Sequence, residues 1–336
     1  MRDSKIIDVA HKANVSPATV SRVLNGSPLV TSKTQEKVLQ AIRELNYTPN
    51  AMGKQLRSRK TMTLGVVVTD IGVAYNAEII KGIENIANGL KYKILICDSQ
   101  NEKEKELEFL SLLQNRTVDG LILVTSQLSD PEILSFADED YAIGLIGRRI
   151  EHPFIPCSFT DNIRIGKEVV QHLMERGHRR IAFINGYADA PDSIERLQGY
   201  KEQLEQAGLS FEPELIDGGD FNEQGGYEAF TRLWSNNEEF TAVFTANDEM
   251  ALGVYKACAE LGISIPENIA VVGVDNIRIT NYVEPKISSV EQPLYAMGAL
   301  LAEQLIEQMN GSVRAESQQF MLASTLVVKG SSAKGG

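Results

Sequence analysis

Apolar positions run along this chain in two rhythms, and the change between them divides the molecule. Near the start they recur every three or four residues: Ile6, Val9, Ala10 and Ala13, then Val20, Val23 and Leu24, then Val38, Ile42 and Leu45. That is the spacing of three short amphipathic helices. Asn14 can take the left-handed turn after the first. Ser16 suits an N-cap and Pro17 the first helical position, where a missing N–H costs nothing. Ser32 with Gln35 makes a capping-box pattern for the third helix, and Tyr47-Thr48-Pro49 stops it. On the second helix Pro17, Ala18, Ser21, Arg22 and Asn25 fall on the face away from the apolar positions.

From Thr63 onward short apolar runs alternate with helical stretches. The runs at 64–68, 94–97, 121–124, 143–146, 181–184, 242–245 and 270–274 predict buried parallel strands. Helical spacing predicts helices over 78–90, 103–113, 166–176, 194–207, 224–234 and 249–261 between them, and over 295–309. Repeated βα units imply a doubly wound α/β fold. Roughly 270 residues exceed one sheet of ordinary width, so two lobes are expected. The chain is expected to cross between them at Asp161-Asn162, to return near 290–293, and to cross a last time near 318–321.

The two rhythms are joined by a polar stretch, residues 50–60. Gly53 weakens any helix there by about 1 kcal/mol relative to alanine, so the stretch should order only against a partner. Leu56 stands out as an apolar side chain between Lys54 and Arg57. It is either a packing contact or a wedge of the kind minor-groove proteins insert between base steps.

Charge sharpens the division. Residues 1–60 hold 11 Lys/Arg against 4 Asp/Glu, and the rest of the chain 22 against 41. A basic head on an acidic body points to a polyanion partner for the head alone. An exposed Arg22 on a short helix could bind guanine in the major groove, with Ala18 against a thymine methyl, or simply be a solvated residue of a three-helix bundle. No apolar run approaches the ~20 residues of a membrane helix, and the N-terminus shows no apolar leader core. Cys97, Cys157 and Cys258 lie far apart and read as small buried hydrophobes. The four histidines show no metal-ligand spacing, and no phosphate loop, nucleophile elbow or dinucleotide fingerprint is present. These readings favour a cytoplasmic binding protein without metal or cofactor over an enzyme.

Seven residues at or just beyond strand ends, Tyr75, Arg148, Asp161, Arg196, Phe221, Asn247 and Asp275, fall where open α/β sheets bind ligands. Carboxylate, guanidinium, amide and ring together suit a polyhydroxyl ligand, although each could instead cap a helix.

The motifs Asp8-Val9-Ala10, Val15-Ser16, Thr19-Val20-Ser21-Arg22-Val23-Leu24-Asn25, Leu45-Asn46-Tyr47-Thr48-Pro49-Asn50 and Leu56 closely resemble the LacI/GalR family of bacterial repressors. The body continues the likeness in Gly82-Ile83-Glu84, Val118-Asp119-Gly120, Asp161-Asn162, Gly177-His178-Arg179-Arg180-Ile181, Arg196-Leu197-Gln198-Gly199-Tyr200, Asn247-Asp248-Glu249-Met250 and Gln292-Pro293. The resemblance implies a three-helix helix-turn-helix head over residues 1–48 and a hinge helix with linker over 49–61. It implies a two-lobed body over 62–330, similar to periplasmic binding proteins and built on doubly wound parallel sheets, then a tail at 331–336. The first lobe would take about 62–160 and 292–320, the second about 161–291 and 321–330.

The same resemblance implies a homodimer on double-stranded operator DNA of pseudo-palindromic sequence. Ser16, Pro17, Ala18, Thr19, Ser21, Arg22 and Asn25 would meet the major groove. Asn50, Lys54, Gln55 and Leu56 would meet the minor groove, where Leu56 opens a central step. A small-molecule effector, a sugar or sugar phosphate, would sit between the lobes. Arg196, Asn247 and Asp275 match the family's ligand contacts, Phe221 its stacking ring, and Asp161 a contact in many members. Val73-Ala74-Tyr75-Asn76 departs from the family's Asn-Pro-Phe-Phe form. The 189–192 loop lacks the Arg and Thr of purine-responsive members. Gln292-Pro293-Leu294 and Tyr295 resemble the catabolite-control branch, which binds a phosphocarrier protein; Glu303 stands where that branch carries an arginine, so a phosphocarrier partner is not expected. Control by a nucleoside or protein corepressor, or a solute-binding module without regulation, are the alternatives.

Overall fold

A computed structural model describes residues 5–24, 27–47, 60–236, 239–311 and 318–333. The chain divides into two compact units, Met1–Thr61 and Met62–Gly336.

The first unit packs α1 (Ile6–Ala13), α2 (Pro17–Leu24) and α3 (Ser32–Glu44) around Val9, Val20 and Val38, which are fully buried. Asn14, at φ +53°, ends α1. Ser16 caps α2, its Oγ accepting the Thr19 backbone N–H at 3.1 Å. The capping box expected at Ser32 does not form. Thr31 is the last extended residue and holds the N-cap position, so Ser32 is already helical. The expected hinge helix, with Asn50, Lys54, Gln55 and Leu56, lies outside the described residues, as does Asn25.

The second unit begins with β1 (Thr63–Val68), α4 (Ala74–Gly89), β2 (Lys93–Asp98), α5 (Lys103–Gln114), β3 (Gly120–Val124), α6 (Asp130–Asp138), β4 (Ile143–Ile146) and β5 (Cys157–Thr160). It continues with α7 (Asn162–Glu175), β6 (Ile181–Asn185), α8 (Pro191–Gln206), β7 (Ile216–Gly218), α9 (Glu223–Ser235), β8 (Ala242–Thr245), α10 (Asp248–Leu261), β9 (Ala270–Asp275) and β10 (Ser288–Glu291). Last come α11 (Leu294–Met309), β11 (Gln319–Leu322) and β12 (Thr325–Val327).

The strands form two six-stranded sheets, β2-β1-β3-β4-β5-β11 and β7-β6-β8-β9-β10-β12. Every pairing is parallel except β12 against β10. Strands buried on both faces need apolar residues on both. In β1, Leu64, Val66 and Val68 pack with Ile79, Ile83 and Leu301, while Val67 packs with Leu110 and Leu123 on the other side. The chain therefore builds an α/β body of two lobes, as the apolar runs imply.

Boundaries differ in three places. Residues 319–322 are a strand of the first lobe, so the last crossing falls at Ala323-Ser324, after the expected position. The reason is that β11 has an open edge, β5, to pair with. Ser331 and Ser332, placed in a tail by sequence, are fully buried in the second lobe. Ser331 donates through Oγ to the Val271 carbonyl at 2.6 Å, and Ser332 Oγ to Ser288 Oγ at 2.7 Å. Helix α6 was not foreseen, although Ser129-Asp130-Pro131-Glu132 is a capping box: the Ser129 backbone N–H donates to Glu132 at 2.8 Å.

Candidate functional site

Strand C-termini of both lobes and the loops after them enclose a cleft of about 480 Å³. Five of the seven strand-end residues singled out above line it: Tyr75 from the first lobe, and Arg196, Phe221, Asn247 and Asp275 from the second.

The second-lobe wall is tied to its own fold. Helix α8, which carries Arg196, crosses α7 so closely that a Cβ on Gly199 would stand 2.1 Å from the Ile163 carbonyl oxygen. Arg196 is 3% exposed; it donates through Nε to Asn162 Oδ1 at 3.0 Å and through Nη1 to the Ala246 carbonyl at 2.5 Å. Asp192 lies 3.8 Å away on the next helical turn. Asn247 does two jobs: its Oδ1 caps α10 by accepting the Met250 N–H at 3.0 Å, and its Nδ2 donates to the Phe221 carbonyl at 2.9 Å. Phe221, at φ +57°, lays its ring over Gly186, where a Cβ would come within 2.1 Å of the ring. Tyr187 meets that ring edge-on, centroids 5.8 Å apart.

Asp275 closes the floor at φ +106°, a strained backbone for a residue with a side chain. Burial pushes its carboxyl up to about 7; the Arg196 guanidinium and the Gln292 hydrogen bond act downward, Asp192 and Glu249 upward. Gln292 Nε2 donates to Asp275 Oδ1 at 2.7 Å, and its Oε1 accepts from Thr160 Oγ1 at 2.6 Å. Thr160 ends β5 at the first lobe crossing, and Gln292 lies on the second. A hydrogen-bonded path thus joins the cleft floor to two of the three crossings.

The first-lobe wall is made by turns. Gln100, Asn101 and Thr125 line it with left-handed backbones, φ +52°, +57° and +48°. Gln127 Nε2 donates to Asn101 Oδ1 at 3.0 Å. Asn76 is 1% exposed: its Nδ2 donates to the Asp70 carbonyl at 2.7 Å, and its Oδ1 is buried without a partner. Burial, with Asp275 and Asp192 nearby, holds the Tyr75 hydroxyl well above its ordinary range, so it stays protonated.

Arg148 and Asp161 do not join the five. Both line a separate cavity of about 380 Å³ beside Arg149 and Glu195. The Arg148 guanidinium is drawn to the Leu128 carbonyl at 2.6 Å and pairs with Asp130. The Asp161 carboxylate caps α7, accepting the Arg164 N–H at 2.9 Å. The residues missed are the first-lobe turns and, on the second lobe, Tyr187, Asp220 and Asn222 in the loops after β6 and β7. A left-handed Asn or Gln after a strand has no sequence rhythm, and only the Ser99-Gln100-Asn101 cluster hinted at a turn.

In the first unit, α2 exposes Pro17, Ala18 and Arg22 and buries Val20 and Val23. Ser16 is exposed; Thr19 and Ser21 are half-buried, and Thr19 Oγ1 lies 3.0 Å from Ser16 Oγ within the cap. Among the described residues no helix is long and apolar enough to cross a membrane. The three cysteines are buried and free.

Residues 5–50 match the family model of bacterial regulatory proteins, lacI family, and residues 170–332 that of a periplasmic binding protein-like domain. Catabolite control protein A of Priestia megaterium is 36% identical over 306 residues, 91% of this chain and 92% of that protein. The transcriptional repressor CytR of Escherichia coli K12 is 33% identical over 326 residues, 96% and 95%. The lac repressor dimer bound to operator and an anti-inducer superposes with a TM-score of 0.89 at 25% identity, covering 98% of this chain and 99% of that one. The regulator CelR in complex with cellobiose superposes at 0.73 with 32% identity, over 98% and 99%. These relatives are transcriptional regulators, not enzymes.

Proposed function

The chain belongs to the LacI family of DNA-binding transcriptional repressors, and on that premise we propose how it works and what switches it. It represses carbohydrate-utilisation genes in the bacterial cytoplasm, at the nucleoid, as a homodimer on a pseudo-palindromic operator. Helix α2 enters the major groove with Ala18 and Arg22 foremost, and Leu56 wedges the minor groove at the operator centre. A small carbohydrate held between the lobes sets the affinity.

The observation that carries this reading is the cleft itself, whose walls come from different lobes. A ligand touching both walls prefers one lobe arrangement, and only such a difference in affinity can shift the equilibrium. The Asp275–Gln292–Thr160 path gives that preference a route to the crossings. The cellobiose complex of CelR supports a carbohydrate.

Selection of duplexes from a random library by the full chain tests the first half. A two-fold symmetric site should emerge, and Arg22→Ala should cost about 1–3 kcal/mol on it and relax one position of its sequence. Recovery of unrelated sequences would refute operator reading. For the second half, a sugar that raises the melting temperature must also change operator affinity.

A further inference from the structure

Resting on the reading of the cleft as the effector site, we infer that the effector is an unphosphorylated sugar, and that the cleft rejects its phosphorylated form. The lining sets five aspartates against one arginine.

Carboxyl groups outnumber cations on the walls. Asp70, Asp98, Asp192, Asp220 and Asp275 all line the cleft, and among its described lining residues Arg196 is the one guanidinium or ammonium group. That guanidinium already serves Asn162, the Ala246 carbonyl and Asp192. Four of the six lining carboxamides already donate within the fold: Asn76 to the Asp70 carbonyl, Asn222 to the Asp220 carbonyl at 3.1 Å, Gln127 to Asn101 and Asn247 to the Phe221 carbonyl. The buried Asn76 Oδ1 adds an acceptor without a partner.

A hydroxyl brings a proton to such a site. A phosphate monoester brings about 1.5 to 2 negative charges at neutral pH and oxygens that only accept. It would meet five aspartates with a single guanidinium to answer it, and that one is already shared with Asp192. Arg148 and Arg149, the cations nearest in sequence to a strand end of the first lobe, line the other cavity, and Arg148 is bound to Asp130. Phe221 and Tyr187 complete the fit, since a sugar ring has an apolar face to stack.

Calorimetric titration of the full chain with matched pairs tests this: glucose with glucose 6-phosphate, fructose with fructose 6-phosphate, ribose with ribose 5-phosphate, and cellobiose and maltose alone. At least one free sugar should bind, and the phosphate in its pair should bind at least about 100-fold more weakly, or not at all, because like charges face each other. In Asp220→Asn the gap should narrow. A phosphate that binds as tightly as its free sugar overturns the inference and leaves the carbohydrate reading standing. A gap that Asp220→Asn leaves unchanged overturns the charge argument. Silence across the whole panel overturns the inference and the carbohydrate reading together.

Discussion

The two walls of the cleft are built differently. On the second-lobe side, Arg196, Asn247 and Asp275 are 3%, 4% and 7% exposed, and each is already hydrogen-bonded. On the first-lobe side, Gln100, Asn101 and Thr125 sit in left-handed turns, and Tyr75 and Gln127 are half-buried. One wall is held in place by its own hydrogen bonds, so its ordering cost is met in folding. The other sits on loops, where side chains can vary without disturbing a core. Affinity should therefore reside mainly in the second lobe and discrimination between sugars in the first.

That contrast can be broken most forcefully at Arg196. Arg196→Ala strands the buried Ala246 carbonyl and Asn162 Oδ1 and takes the cation from half-buried Asp192, so stability should fall by on the order of 3 kcal/mol. Effector binding should vanish in calorimetry while operator binding persists below the new melting temperature; retained effector binding would refute the preformed wall. Gly186→Ala comes next. Its Cβ would overlap the Phe221 ring, costing about 1–3 kcal/mol in displaced packing and loosening the effector without touching it.

A third effect is pH-dependent. The Asp275 carboxyl stands at about 7 in the fold, above its ordinary 3.8. The folded protein thus keeps a proton that the unfolded chain has lost, and this group's contribution to stability falls as pH rises between those values, then levels. A sugar hydroxyl donating to the ionised carboxylate should bind more tightly as pH rises toward 7, by up to about tenfold per unit, with a plateau above. Asp192, Glu249, Arg196 and the buried Asp248 are the charged groups that act with it. Asp275→Asn should flatten the profile; a slope that survives assigns it elsewhere. The smallest effect belongs to the first lobe. Gln127→Ala should leave stability within about 0.5 kcal/mol yet change the ranking of sugars, because its side-chain amide donates to Asn101 while its bond to Glu106 comes from the backbone N–H and survives the substitution. An unchanged ranking would move specificity to the second lobe.

Legibility followed the same divide. Buried parallel strands announce themselves as apolar runs, and the residues just past them, Arg196, Asn247 and Asp275, could be picked out by position. Short polar strands could not: Ser288 and Ser289 are buried only because Lys329 and Asp248 accept their hydroxyls, partners 41 residues away in sequence. A strand-end arginine gives no sign in sequence of its partner: Arg148 pairs with Asp130, which lies on a helix that no apolar rhythm announces. The turn residues Gln100, Asn101 and Thr125 of the first lobe, like Asp220 of the second, depend on backbone signs that no spacing encodes. For the head, the N-cap Ser16 and the exposed Arg22 were readable, since a three-helix unit has few ways to bury Val9, Val20 and Val38.

The central claim is that a ligand between the lobes changes the grip on DNA. Fluorescence anisotropy of the full chain on its selected duplex, with and without the sugar that binds most tightly, measures this directly. A change in affinity of roughly 5- to 150-fold is expected, the usual range of such coupling. In Gln292→Leu, which cuts the path from Asp275 to Thr160, the change should shrink while the sugar still binds. Operator affinity that is the same with the cleft saturated as with it empty would contradict the account.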